Sequence, residues 1–260
     1  MTEPILISFD DGLARLTLNR PQRLNAFDAG MADAFADAAR SATGRAGVKA
    51  ILIDGAGAAF CAGGDVVAMA TSVRSGSEVE RLARTINRGL LALLESSIPV
   101  VAAAHGTTAG GGLGLLLAAD YAVVGSDSRL GSRYANVGLT PDLAVTALLP
   151  RAVGERRALQ LLLTDTMLAA RQALEWGLVA EVVEGGREGV VRRAEEVARG
   201  WADGASHAFG EAKRLVRSRP ARTIAQQLDE EARTIGAAVD TPDARARIQA
   251  FAARSSGGAR

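Results

Sequence analysis

The chain has 260 residues, 48% of them hydrophobic and 23% charged, with a formal net charge of +1. That is enough apolar material for a real core, in one large domain or in one domain with an appendage. The near-neutral balance offers no concentrated basic face for nucleic acid or an anionic membrane, and the single cysteine, Cys61, excludes an internal disulfide framework and fits a reducing cytoplasm.

In chain order, the opening MTEPILISFDDG is acidic and lacks an apolar signal core, so no secretory leader is expected there. Residues 5–9 and 13–19 are β-rich runs around Asp11-Gly12, the pattern of a hairpin. Residues 48–54, 100–104 and 121–124 read as buried strands. Between them, Phe27, Met31, Ala34, Phe35 and Ala38 share one helical face, and Leu82, Ile86, Leu90, Leu93 and Leu94 share another. Ser77 and Glu80 have the spacing of a capping box for the second helix. The longest apolar run, 113–119, is too short to span a bilayer. From about Glu181 the chain reads as helix after helix: 190–201, 209–216, 224–239 and 243–253, with a frayed tail at 255–258. Ile224, Leu228, Ala232, Ile235 and Val239 form a helical stripe that should pack on the main domain or on a neighbouring subunit. Strands alternating with helices predict an α/β class.

Several familiar motifs fail. DGAGAAF places Phe60 at the third glycine position of a dinucleotide fingerprint. The chain has no P-loop, no G-x-S-x-G elbow and no Cys/His cluster with metal spacing, so no metal is expected. His105 ends an apolar strand and reads as a hydrogen-bonded structural histidine. Two segments do carry chemistry: AFCAGGDV (59–66) and HGTTAGGGLGLLLAAD (105–120). Each sets small residues between a strand and a helix, which leaves backbone N–H groups unpaired and lets a ligand approach the main chain. One such turn is ordinary packing. Two aimed at one spot would make an oxyanion hole. Asp142 has two readings: Thr140-Pro141-Asp142 has the form of a helix start, and the same carboxylate could move a proton. A helix dipole would lower its pKa, and an apolar pocket would raise it.

With these segments in place, the chain resembles the crotonase family, the enoyl-CoA hydratases and isomerases, over nearly its whole length. The resemblance rests on NRPQRLNAFD (19–28), on AFCAGGDV, on IPVVAAAHGTTAGGGLGLLLAADYAV and on ALEWGLVAEVV (173–183). It implies a crotonase-type spiral core of ββα units over residues 1–195. A C-terminal helical trimerisation region, 196–260, would follow, in a homotrimer or dimer of trimers in the cytoplasm. It implies that the Ala62 and Gly111 amides hold a thioester carbonyl oxygen. Arg23, Leu24 and Ala26 would line a coenzyme A channel, with Gly63, Gly64 and Asp65 near the pantetheine end. Coenzyme A would be part of the substrate, with no separate cofactor. Asp65 is also suited to cap the next helix, and that structural role is the favoured one for its side chain. Lys213 or an arginine of the C-terminal helices is a candidate for the 3′-phosphate.

The hydratases of this family use two glutamates, and the corresponding positions here are Gly114 and Tyr134. Asp142, four residues after Gly138, matches the acid of dienoyl-CoA isomerases, of the phenylacetate-pathway epoxide isomerase and of a chlorobenzoyl-CoA dehalogenase. VGLTPDLAVTALLPRAVG is most similar to the epoxide-isomerase group. One carboxylate suffices to take a proton from one carbon and return it at another, so the resemblance favours an isomerase. The alternatives are an enoyl-CoA hydratase and, from another class, a non-catalytic acyl-CoA-binding member. Tyr134 would pack in the core or donate a hydrogen bond to substrate or to Asp142, and Arg129 and Arg133 flank it.

Overall fold

The computed structural model describes residues 3–164 and 166–257. Strand β1 (Ile5–Asp10) and β2 (Leu13–Leu18) precede α1 (Ala29–Gly44), β3 (Ala50–Gly55), α2 (Val66–Ser72) and α3 (Gly76–Glu95). Then come β4 (Val100–Ala104), β5 (Thr107–Ala109), α4 (Gly111–Ala118), β6 (Tyr121–Gly125) and β7 (Arg129–Gly131). The chain continues through α5 (Val145–Val153), α6 (Glu155–Leu163), β8 (Met167–Ala169), α7 (Ala170–Glu175) and β9 (Glu181–Val183). It ends in α8 (Gly186–Asp203), α9 (Ser206–Ser218), α10 (Ile224–Val239) and α11 (Pro242–Gly257).

The expected hairpin forms, with Asp11 and Gly12 both at positive φ, the two-residue turn that matches strand twist. From β2 onward the main sheet is parallel, in the order β1-β2-β3-β4-β6-β9. A smaller sheet, β5-β7-β8, frames the glycine turn after β4. Strands β3 and β4 are buried throughout because both faces are covered. Their period-two alternation sends Ile51, Ile53, Val100, Ala102 and Ala104 toward the main core. The residues between them, Leu52, Val101 and Ala103, meet α8 on the other face through Val190, Ala194, Ala198 and Ala202.

Three features of the C-terminal part bear on the expected layout. Helix α8 runs unbroken through positions 195 and 196 and lies on the sheet, so the region that departs from the core begins only after it. The stripe on α10 covers neither the core nor α9, because Leu228 is 60% and Ile235 67% exposed. Residues 255–257 continue α11, while Gly258 lies outside the described residues. The expected capping box on α3 is also absent. The helix begins two residues earlier, the side chain of its N-cap Ser75 accepts no backbone N–H, and Glu80 pairs with Arg84 instead.

Candidate active site

The two glycine turns meet because the segment around Cys61 is stitched between two neighbours. Cys61 donates its N–H to Thr107 O and accepts from Ala109 N, while Phe27 donates to Gly63 O and accepts from Asp65 N. The approach is so close that a Cβ on Gly63, which sits at φ +102°, would lie 2.9 Å from Ala109 O and 3.1 Å from Gly111 N. Only glycine meets both demands.

Which amides remain free is a tertiary matter. The Ala62 N–H, expected to face the ligand, instead donates to Leu24 O at 2.9 Å. Leu24 and Asn25 are both left-handed, at φ +48° and +56°, which swings the Leu24 carbonyl onto that amide. The bridge at this turn runs through Gly63 O and Asp65 N, so the Gly64 N–H between them has no backbone acceptor among the described residues. Gly111 opens α4, where a first-turn N–H has no partner within the helix. Gly64 and Gly111 line the same cavity of about 350 Å³, together with Asp142 and Tyr134. The pair of free amides is therefore Gly64 and Gly111, and Ala62 is corrected to a wall residue.

Asp142 is half-buried on the same wall. The Tyr134 hydroxyl donates to its Oδ1 at 2.6 Å. Burial raises the Asp142 pKa above the usual carboxylate range, and the Tyr134 hydrogen bond partly offsets that rise. Burial and the neighbouring carboxylate drive the Tyr134 hydroxyl strongly upward, so it stays a donor. The helix-start reading of Asp142 fails. Leu143 and Ala144 are both left-handed, and α5 begins only at Val145 with Ala144 as its cap. Asp142 thus lies ahead of the helix, where its carbonyl accepts from Val145 N and closes the left-handed turn of Leu143 and Ala144.

That loop also occupies the space beside Gly114. A Cβ there would lie 2.9 Å from Leu143 Cβ and nearer still to Leu143 O. The carboxylate at position 114 is therefore not merely missing; its place is filled. Glu80 reaches the cavity rim, but its side chain is 60% exposed and paired with Arg84. Val66, Met69, Val79, Leu82, Ala83 and Ile86 complete an apolar wall that sequence reading had assigned to helix cores or passed over. The Leu82/Ile86 spacing was the available signal.

Asp65 takes its structural role. It accepts from Ala68 N at the start of α2 and is held by Arg23 at 2.6 Å and Arg20 at 3.2 Å. The Arg23 hydrogen bond leads in lowering its pKa to about 2. Leu24 is exposed and Ala26 buried, and neither they nor Arg23 nor Gly63 line the cavity. The residue that organises this segment was missed. Asn25 is fully buried, accepts from Arg20 N, and donates to Ala56 O and Ala59 O. Asparagine's tolerance of the left-handed region was its only signal. Lys213 is corrected: it is buried, pairs with Asp120 at 3.0 Å, and donates to Leu93 O and Ile98 O, so its own ammonium is taken up inside the protein. Arg133 lines the cavity and Arg129 does not. His105 is buried, its Nε2 is 2.8 Å from Gly57 O, and it lies off the cavity. Burial pushes the Cys61 thiol up to about 12, which leaves it protonated at neutral pH.

Two free amides and a half-buried acid around one apolar cavity suit activation of a carbonyl compound. The family model for enoyl-CoA hydratase/isomerase matches residues 8–256. The chain belongs to the enoyl-CoA hydratase/isomerase family. Within that family it is 33% identical to the 1,2-epoxyphenylacetyl-CoA isomerase of Escherichia coli K12 over 98% of each chain. It is 34% identical to a Rhodobacter capsulatus protein named a probable enoyl-CoA hydratase, over 95% of this chain and 94% of that one. The crystal structure of an enoyl-CoA hydratase from Mycobacterium smegmatis superposes with a TM-score of 0.89 at 28% identity, covering 96% of each chain. The fold is that of the crotonase enzymes of this family. Among the described residues no helix is long and apolar enough to cross a membrane.

Proposed function

We propose that the protein is an enzyme that shifts a double bond in an enoyl-CoA thioester, with Asp142 as the proton carrier. The thioester oxygen would accept hydrogen bonds from the Gly64 and Gly111 amides. The ionised Asp142 carboxylate removes a proton from the carbon at one end of the three-carbon unit. The C–H electron pair moves into the conjugated system, and negative charge gathers on the thioester oxygen between the two amides. Protonated Asp142 then returns the proton at the other end, and the double bond has moved with no net change in atoms or charge. Opening of a ring epoxide next to the thioester is a related use of the same groups.

The observation that carries this reading is that Asp142 is a half-buried carboxylate on the cavity wall, while Leu143 fills the space beside Gly114. Adding water needs one group to activate it and another to deliver a proton. Tyr134, the other candidate, already donates to Asp142. The apolar wall supports an acyl substrate. The coenzyme A moiety would leave past the Arg23–Ala26 segment, whose Leu24 is exposed.

Replacing Asp142 by Asn keeps shape and removes the base. Isomerisation of a 3-enoyl-CoA should fall by about a thousand-fold or more while acyl-CoA binding persists. A wild-type rate in that variant would sink the proposal, and formation of a 3-hydroxyacyl product from crotonyl-CoA by the native protein would favour the hydratase instead. Binding of acyl-CoA without turnover of any enoyl-CoA would favour a non-catalytic binding member. The exposed stripe of α10 supports assembly into a trimer or dimer of trimers. A monomeric mass in sedimentation would exclude it.

A further inference from the structure

A second cavity, of about 590 Å³, lies between the start of α1, α2 and α3. It shares three wall residues with the reaction cavity: Phe27, Met69 and Leu82. Phe27 is fully buried and forms a common floor. The partition between the two spaces is therefore the Met69 and Leu82 side chains, from two different helices. We propose that Met69 is a gate, and that the distal end of a long straight-chain acyl group passes it to lie in the second cavity. This assignment rests on the acyl-thioester reading of the site and names the substrate class within it.

Three features make Met69 the movable half of the partition. Methionine is unbranched with three rotatable bonds, and it adapts to irregular gaps more readily than leucine. Its helix, α2, has seven residues and none of them is buried, so little packing fixes it beyond the Asp65 cap. The Met69 methyl also rests where position 64 carries no side chain, since a Cβ on Gly64 would fall 2.7 Å from Met69 Cε. Gly64 thus has two consequences: a free amide for the thioester oxygen, and a seat for the gate beside it. The acyl chain starts at that carbonyl, so the gate stands next to the first part of the tail. Beyond it, Ala32, Ala68 and Val73 offer apolar surface to a tail, and Asp33 and Arg81 stand on the exposed rim.

Binding of saturated, unreactive thioesters reads this out without depending on proton transfer. Calorimetric Kd values for hexanoyl-CoA and dodecanoyl-CoA should favour the longer chain by about ten-fold or more, given roughly four-fold per fully buried methylene. Thr85 lines only the second cavity. Thr85→Trp should fill it and bring that preference close to unity, with hexanoyl-CoA affinity held within about two-fold as evidence of an intact fold. Met69→Ala should raise the preference by about three-fold, because no side chain then has to move aside. A chain-length preference unchanged in both variants overturns the gate. Failure of the isomerase reading looks different: the preferences follow this pattern, yet Asp142→Asn leaves turnover intact.

Discussion

The site is built from two regions that solve the same conformational problem in opposite ways. The glycine side, 61–65 and 110–114, reaches positive φ at Gly63 and Gly110, where no side chain pays a steric penalty. The acid side, 133–144, places Arg133, Leu143 and Ala144 in the left-handed region, where each ordinary residue costs about 1 kcal/mol. Such a loop persists only when its surroundings over-determine it. Here the surroundings are the notch over Gly111 and Gly114, into which Leu143 fits, and the Tyr134 bond to Asp142. The glycine side is therefore rigid by composition. The acid side is rigid by docking onto it.

Substitutions that break this division should differ in size and sign. Gly114→Glu puts a side chain into the Leu143 backbone. It should destabilise by about 3 kcal/mol in denaturant melts and abolish isomerisation by moving Asp142, without creating a hydratase. Gly63→Ala meets both a close Ala109 carbonyl and a positive φ, and a loss of about 2 kcal/mol is expected, read as a lower unfolding midpoint.

Tyr134→Phe tests the docking more gently. It removes the hydrogen bond that lowers the Asp142 pKa and leaves burial, which raises it. In the proposed mechanism the base is the ionised form, so activity should be lost as pH falls through that pKa. The acidic limb of the pH–rate profile should move to higher pH in the variant, with kcat down about ten-fold. An unmoved limb would show that the tyrosine does not act on Asp142. The smallest effect should have the opposite sign. Ala144→Gly relieves a left-handed residue and should stabilise by about 0.5 kcal/mol, whereas alanine at Gly63 destabilises.

Much of the scaffold was legible because its signals are local. The Asp11-Gly12 turn, the run of β4 and the limits of α10 follow from side-chain period and turn chemistry. The two glycine turns were legible as a pair, and the resemblance singled out Asp142, which lines the same cavity. Their roles were less so. Ala62 and Gly64 are both small residues in one turn, and nothing local shows that the Leu24 carbonyl engages one amide and leaves the other free. Lys213 looks like a surface cation on a helix until Asp120 and two carbonyls close around it.

The sequence by itself determined that strands alternate with helices, that two glycine turns follow two buried strands, and that acids are missing at positions 114 and 134. These depend on residue type and spacing along a few turns of chain. Only the tertiary structure decided which amides stay unpaired, that Asp142 stands before a helix rather than in it, and that Leu143 fills the space beside Gly114. Those depend on contacts between segments far apart in the chain, where a carbonyl or a buried side chain from elsewhere sets the free energy of each group.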